Sequence, residues 1–434
     1  MTMSSAEDRS TGAPDTGPVL DSPTTTPSGK RLNGGILFLL AGLAALGALA
    51  TNIILPAFPQ IGSELAISSP ELGLLLSSFF IAFAIGQLFV GPLADRFGRK
   101  PLVLGGLIVF AAGSTISALA GDLSMLLLGR IVQALGACAA SVLARAIARD
   151  LFDGVALGRA LALTMIAGAV APGFSPLFGG VLSGAFGWRV LFVVVAVFGL
   201  ALAWHYVASV GETHAVERRT PLAFSSVAST YRDLAADQRF LLPALAVSFV
   251  IGGLYSFFAA APGVLMNTLG LSAIQLGLSF AATVLVVFAA GFLAPRLARR
   301  HGDRGVGLLG LIVALAGGFA MFGFAAWPSF TTFTSAIVLY LFGMGLINPL
   351  GTAIALHPFG RQAGSASSLL GFLQMSCAAI GAFVASSLPF SPPASLAAVL
   401  TMAVVLAIAA FLPVFLRRSR TAPSGRAGTY WRLI

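Results

Sequence analysis

From residue 34 to residue 416 the chain is a succession of apolar runs, each long enough to cross a bilayer and separated from the next by a short polar break. The runs fall near 34–58, 69–93, 101–120, 122–148, 158–184, 187–209, 239–262, 273–296, 305–326, 330–356, 364–388 and 394–416. A hydrocarbon core about 30 Å thick takes roughly 20 helical residues to cross. Within it every backbone N–H and C=O needs a partner inside the protein, so runs of this length must be helices. Only 9% of the 434 residues are charged, against about 25% in a soluble domain, too few to coat a water-facing surface. The sequence therefore predicts an all-α membrane protein with twelve transmembrane helices.

One longer polar stretch, from Gly211 to Arg239, splits the runs into two groups of six. The expected organisation is a tail at 1–33, a six-helix bundle at 34–210, a linker at 211–238, a second six-helix bundle at 239–416 and a tail at 417–434. The first tail is rich in Ser, Thr, Pro, Gly and Asp and reads as disordered. No cationic start leads directly into an apolar run, so it does not read as a signal peptide.

Lys and Arg set the expected orientation. With the N-terminus inside, Lys30, Arg31, Arg96, Arg99, Lys100, Arg149, Arg159, Arg218, Arg219, Arg232, Arg239, Arg296, Arg299, Arg300, Arg304, Arg361, Arg417, Arg418 and Arg420 share the cytoplasmic side. The outward loops at 59–68, 263–272, 327–329 and 389–393 hold no Lys or Arg, and only Arg189 sits at an outer helix end. Both termini are expected in the cytoplasm.

The halves also repeat. Gly91-Pro-Leu-Ala-Asp-Arg-Phe-Gly-Arg-Lys100 follows the second run, and Gly291-Phe-Leu-Ala-Pro-Arg-Leu-Ala-Arg-Arg300 follows the eighth. A duplication of six helices places the binding site between the halves.

Several functions are excluded. The net charge of +10 has no soluble basic face on which to meet nucleic acid. The two cysteines, Cys138 and Cys377, and four scattered histidines give neither a disulfide framework nor metal-ligand spacing. No nucleophile–base pair or nucleotide loop supports an enzyme, and no cofactor or metal is expected.

The first candidate group is the loop after the second run. Gly91 and Gly98 would permit a tight turn and close helix approach. Asp95 would accept backbone N–H groups at the start of a neighbouring helix, while Arg99 would pair with a carboxylate such as Asp150; Arg96 completes the basic side. The second group is on the fourth run, where Arg130 lies roughly 12 Å into the membrane at 1.5 Å per residue from Asp122. An arginine at that depth normally lines a polar cavity. Gln133 lies about a turn further on, and Gly136 allows a neighbour to come close. The third group is on the fifth run. Gly168, Pro172, Pro176 and Gly180 recur every four residues on one face, and Gly173 and Gly179 add to a smooth, kinked surface suited to hinge motion. Other polar groups within the runs are Gln87, Asn348, Gln374, Tyr255 and Tyr340.

The segment from Gly91 to Lys100 resembles the signature loop of the major facilitator superfamily at nearly every defining position. Arg130-Ile-Val-Gln133-Ala-Leu-Gly136 is similar to that family's second motif, whose arginine is linked to substrate or proton coupling. Ala171-Pro-Gly-Phe-Ser-Pro-Leu-Phe-Gly-Gly180 resembles the antiporter motif of its drug exporters. Leu55-Pro-Ala-Phe-Pro59, Arg145-Ala-Ile-Ala-Arg149-Asp-Leu151, Gly187-Trp-Arg189 and the stretch from Ala363 to Met375 are similar to the Bcr/CflA group of drug-resistance transporters. The resemblance implies two rocking halves, alternating access, and proton-driven export of amphipathic drugs or small metabolites. It further implies a monomer in the bacterial inner membrane whose partners are lipid, a small-molecule substrate and, as coupling ion, the proton. Asn52 stands where that group usually has an aspartate, and none of the fifteen carboxylates lies deep in a run. An uncoupled uniporter or permease, or a transporter-like sensor, is the alternative. The proposed coupling and substrate residues are Asn52, Arg130, Gln133, Asn348 and Gln374, with Phe79, Phe80 and Phe83 as apolar lining.

Overall fold

A computed structural model describes residues 33–214, 216–219 and 224–416. The tails expected at 1–33 and 417–434 lie outside these, Asn33 excepted, and with them Lys30, Arg31, Arg417, Arg418 and Arg420. Among the described residues twelve helices have the length and apolarity to cross a membrane. In order they are spans 1 (Gly34–Leu65), 2 (Ser69–Phe97), 3 (Arg99–Ala118), 4 (Leu123–Leu151), 5 (Gly154–Phe186) and 6 (Arg189–Ser209), then 7 (Gln238–Thr268), 8 (Ala273–His301), 9 (Asp303–Ala326), 10 (Phe330–Gly360), 11 (Ala363–Ser387) and 12 (Pro392–Leu416). A linker helix, Phe224–Ala236, lies between the halves of the sequence.

Polar caps start the spans where the apolar runs begin. Asn33, Asp122, Ser272 and Ser329 each accept a backbone N–H from the first turn that follows, supplying partners that a helix start otherwise lacks. Span 1 runs beyond the expected end at residue 58. Its regular helix stops at Asn52, passes through a tighter turn at Leu55–Ala57 and resumes as Phe58–Leu65. Pro56 and Pro59 explain this, since neither can donate to an α-helical ladder but both are accommodated in a first helical turn.

The two halves share one contact scheme. Spans 1 and 5, 2 and 4, 3 and 4, 3 and 6, and 1 and 4 touch in the first half; spans 7 and 11, 8 and 10, 9 and 10, 9 and 12, and 7 and 10 touch in the second. The principal contacts across the halves are span 2 with span 11 and span 5 with span 8.

Internal duplication is therefore visible, but in a different register from that of the loop sequences. Gly98 closes span 2 with φ 97° and Gly302 closes span 8 with φ 75°, a conformation that favours glycine. Pairing these two moves the alignment by four residues from the one that matched Gly91 with Gly291. Four residues make about one helical turn, so both registers keep the same face and the sequences alone look alike in either. The structural register also aligns Gly106-Leu-Ile-Val109 with Gly310-Leu-Ile-Val313. It sets Asp303, at the start of span 9, opposite Arg99, at the start of span 3.

Glycines make the tightest crossings. A Cβ on Gly136 would collide with the backbone of Phe110 and Gly106 on span 3, and one on Gly113 with the backbone of Gln133 on span 4. In the second half, Gly310 and Gly343 face each other in the same way between spans 9 and 10. Small residues at such crossings let backbones approach closely, and dispersion then holds helices that lipid cannot drive together.

Candidate functional site

Span 4 carries the most demanding side chain into this interior. Arg130 is fully buried. Its Nη1 donates to the carbonyl of Ala50 at 3.0 Å and to Gln133 Oε1 at 2.6 Å, and its Nε donates to the carbonyl of Leu75 at 3.3 Å. The guanidinium carbon stands 4.4 Å from the ring centre of Phe79, within cation–π range. Gln133 Nε2 in turn donates to Ser114 Oγ at 2.8 Å. Spans 1, 2, 3 and 4 are thus joined through one arginine and its glutamine. Ala50 can accept because span 1 leaves regular helix just beyond it, and carbonyls at a helix end lack intrahelical donors.

What Arg130 lacks is an anion. Its Nη2 is buried without a hydrogen-bond partner, and so is Oδ1 of Asn52, whose Nδ2 donates to the Ala48 carbonyl at 2.8 Å. No ion pair to Arg130 occurs among the described residues. Neutral acceptors and an aromatic face carry the whole positive charge, an unusual arrangement because a buried charge is costly unless paired.

The duplicated position is different in the second half. The register that matches Gly136 with Gly343 puts Ile337 at the place of Arg130 and Tyr340 at that of Gln133. Tyr340 is fully buried and its hydroxyl donates to the carbonyl of Val250 on span 7 at 2.9 Å. Each half therefore uses a side chain of its fourth span to hold a carbonyl of its first, but only one uses a charge. Tyr340 had stood among several polar groups in the sequence; the shared spacing to Gly343 and Gly136 is the signal that would have singled it out.

Not all the proposed residues converge. Asn348 and Gln374 are half-buried on spans 10 and 11 and make no hydrogen bond to Asn52, Arg130 or Gln133. Phe79 and Phe80 are almost wholly buried and do not line an open cavity. Phe79 lies against Arg130, and Phe80 meets Tyr255 of span 7 with ring centres 4.6 Å apart. That contact, together with Gln87 of span 2 set tightly against Gly371 of span 11, fills the middle of the molecule. A cleft of about 440 Å³ opens at each end.

At one end the signature loop forms a charged clasp. Arg99 Nη1 pairs with Asp95 Oδ1 at 2.7 Å and its Nε with Asp150 Oδ2 at 3.1 Å, tying spans 2, 3 and 4. Thr213 donates its hydroxyl to the same Asp150 oxygen at 3.0 Å. The role expected of Asp95, accepting the first N–H groups of a neighbouring helix, belongs to Glu212. Its carboxylate accepts from Arg99 N at 2.9 Å and Lys100 N at 3.3 Å, and from Thr213 N at 3.1 Å and His214 N at 2.9 Å. Asp95 is drawn away because Arg99, four residues on along the turn, offers a guanidinium instead. Gly98 does make a close approach, since a Cβ there would strike the Glu212 carboxylate, whereas nothing surrounds Gly91 within 4 Å. Arg96 is exposed and outside the clasp. Nothing in the sequence marks Glu212, because it is the first acid of a polar linker, with no neighbour along the chain to pair it with span 3.

Burial works against the charge on Glu212, but the four backbone N–H groups outweigh it and hold the carboxyl below its usual range. A depressed folded-state value means that the stabilisation is fully present above the ordinary glutamate pKa of about 4.3 and is lost as pH falls through the lowered one. Glu212→Gln is therefore expected to lower the melting temperature at neutral pH and to match the wild type in acid. Equal differences at both pH values would contradict this assignment.

Span 5 is one helix with Pro172 and Pro176 inside it. The face expected from the four-residue spacing is only partly the contact face. Gly173 and Gly180 abut span 8, and Gly179 abuts the Ile53 carbonyl of span 1, while nothing approaches Gly168 within 4 Å and Pro172 is half-buried. The reason is the drift of a 3.6-residue helix under a four-residue repeat, which turns Gly168 and Pro172 away from the seam that Gly173, Pro176 and Gly180 occupy.

Two pseudo-repeated six-span halves, meeting along spans 2 and 11 and spans 5 and 8, define a transporter architecture of the duplicated type. The family model described as Major Facilitator Superfamily matches residues 40–382, and the chain belongs to that superfamily. It is 31% identical over 353 residues to an uncharacterized MFS-type transporter, YdgK, of Bacillus subtilis (strain 168), covering 80% of this chain and 87% of the relative. It is 28% identical over 397 residues to multidrug resistance protein D of Escherichia coli (strain K12), covering 90% and 98%. A bicyclomycin resistance protein homolog of Haemophilus influenzae is 27% identical over 380 residues, covering 86% and 94%. Among solved structures, a bacterial homolog of the human lysosomal transporter Spinster, inward-facing and unoccupied, superposes with a TM-score of 0.70 at 18% identity over 88% of this chain and 96% of that one.

Proposed function

We propose that the chain exports amphipathic drugs or small metabolites across the bacterial inner membrane, its two halves, 34–210 and 239–416, rocking about their interface. Drug resistance in two of the relatives' names supports export. The seam itself supports this most directly. Spans 2 and 11 and spans 5 and 8 meet through small residues, Gly371, Gly173, Gly180 and Gly277 among them, and clefts stand at both ends of a filled centre. Smooth contacts of this kind can separate at one end while closing at the other. The clasp end, with its concentration of arginines, faces the cytoplasm in this reading, as do both termini. The clasp acts as a gate on that side by fixing the ends of spans 2, 3 and 4 as one wall against the second half.

Coupling rests on Arg130. With Asn52 in place of an acid, and an arginine that keeps its proton, proton antiport would need the protonation of carboxylates at the span ends. A uniport mechanism is the second reading, favoured by the lack of a deep carboxylate among the described spans. Expression in a pump-deficient host is expected to lower drug accumulation, and an uncoupler to abolish the effect. Accumulation unaltered by expression across a broad drug panel would overturn export, and purified protein that only dissipates a drug gradient in proteoliposomes, indifferent to an imposed proton gradient, would select the second reading.

A further inference from the structure

The cleft at the clasp end holds cations that the clasp does not use. It is a space of about 440 Å³ walled by the ends of spans 2 and 4, the start of span 11 and the linker helix. Arg145 and Arg149 both line it, one turn apart on the same face of span 4. Neither makes an ion pair or hydrogen bond among the described residues. Asp95, the carboxylate on this wall, is held by Arg99, as is Asp150 behind it. Across the cleft, span 11 presents Ser365, Ser367 and Ser368, with Gln362 just before them. Two unneutralised guanidinium groups thus face hydroxyl and amide donors over a space that a small oxyanion fits.

The linker helix roofs this cleft by a bond with a definite cause. Pro92 lacks the N–H that would reach back to the carbonyl of Leu88, and the hydroxyl of Tyr231 donates to that carbonyl instead, at 3.0 Å. Leu234, beside it on the linker helix, packs into an apolar cluster with Phe240, Ala355 and Leu370. The cleft therefore has a wall from each half and a lid from the segment that joins them.

We propose that this cleft is a binding site for a phosphate-class anion, held by Arg145 and Arg149 on one half and by Ser365 and Ser367 on the other. Arginine suits this ligand because its planar fork matches phosphate oxygens. A bound anion cancels the repulsion between two like charges four residues apart and ties span 4 to span 11, so it favours the state in which this end is closed. Both soluble phosphate and the headgroup of an acidic phospholipid supply the chemistry. The site is independent of what the protein transports.

The test uses the full-length purified protein and an Arg145→Gln/Arg149→Gln double variant. Melting temperature is followed during titration with inorganic phosphate in detergent, at ionic strength held constant with sodium chloride. In a second arm the protein is placed in nanodiscs of phosphatidylcholine with or without phosphatidylglycerol. The wild type is expected to be stabilised saturably in at least one arm. Affinity should fall roughly tenfold for each arginine removed, about one charge-assisted hydrogen bond apiece. The ligand-free double variant should melt no lower than the wild type, because a like-charge pair has been removed. A response to phosphate alone identifies a soluble anion, and a response confined to phosphatidylglycerol identifies a lipid headgroup. No response in either arm, or an equal response in wild type and variant, would overturn the proposal.

Discussion

An Arg130→Ala variant is expected to reach the membrane folded and to transport nothing. The substitution removes donors from the Ala50 and Leu75 carbonyls and from Gln133, and each unsatisfied acceptor costs about 1–3 kcal/mol. It also removes a buried cation without a counter-ion, whose desolvation cost is several kcal/mol. The two changes oppose each other, so folding should survive. Transport should not, because among the described residues no other group of either charge stands at the junction of spans 1, 2 and 4. Flux into proteoliposomes, with size-exclusion profiles as the folding control, separates the outcomes. Wild-type flux in this variant would reduce Arg130 to a strut between helices. Arg130→Lys sharpens the reading: it keeps the charge but cannot reach three acceptors at once, and a partial loss is expected.

The second large effect concerns folding alone. Gly136→Val is expected to abolish the recovery of monodisperse protein. The new side chain would meet the backbone of Phe110 and Gly106, atoms that cannot rotate away as a side chain could. Overpacking a well-filled interior costs about 1–3 kcal/mol, and here the strain would push span 3 off span 4 along its length. Gly343→Val should fail for the same reason in the second half. Gly91→Val, with nothing around it within 4 Å, should be recovered normally. Comparable yields of all three would show that the duplicated crossings are looser than described.

Much of this fold was legible because lipid leaves few choices. A run such as 394–416 has no polar group strong enough to stop it, and span 12 occupies almost those residues. The Arg99–Asp150 contact was legible as well, since an arginine and an acid at neighbouring helix ends on one side have few other partners. Three things were not. The repeat register was hidden by helical geometry, as a four-residue slip leaves every side chain facing the same way. Glu212 was hidden by distance along the chain, because only the packing of span 6 beside span 3 brings it to Arg99. The contact face of span 5 was hidden by a spacing that suggested a straight stripe where the helix requires a winding one. For the centre, a phenylalanine-rich span suggested a lined cavity, but Phe79 and Phe80 serve instead to cover Arg130 and to close the halves on Tyr255.

The uncompensated charge on Arg130 has an electrical consequence. A group that stays positive through the cycle, and that shifts relative to the two faces as the halves rock, carries current across the membrane voltage. One elementary charge moved through all of a 100 mV field is worth about 2.3 kcal/mol, and a partial movement contributes in proportion. Ile337 at the duplicated position has nothing to answer it with. The first half alone would then feel the field, and transient currents on substrate addition should be present in the wild type and absent in Arg130→Ala.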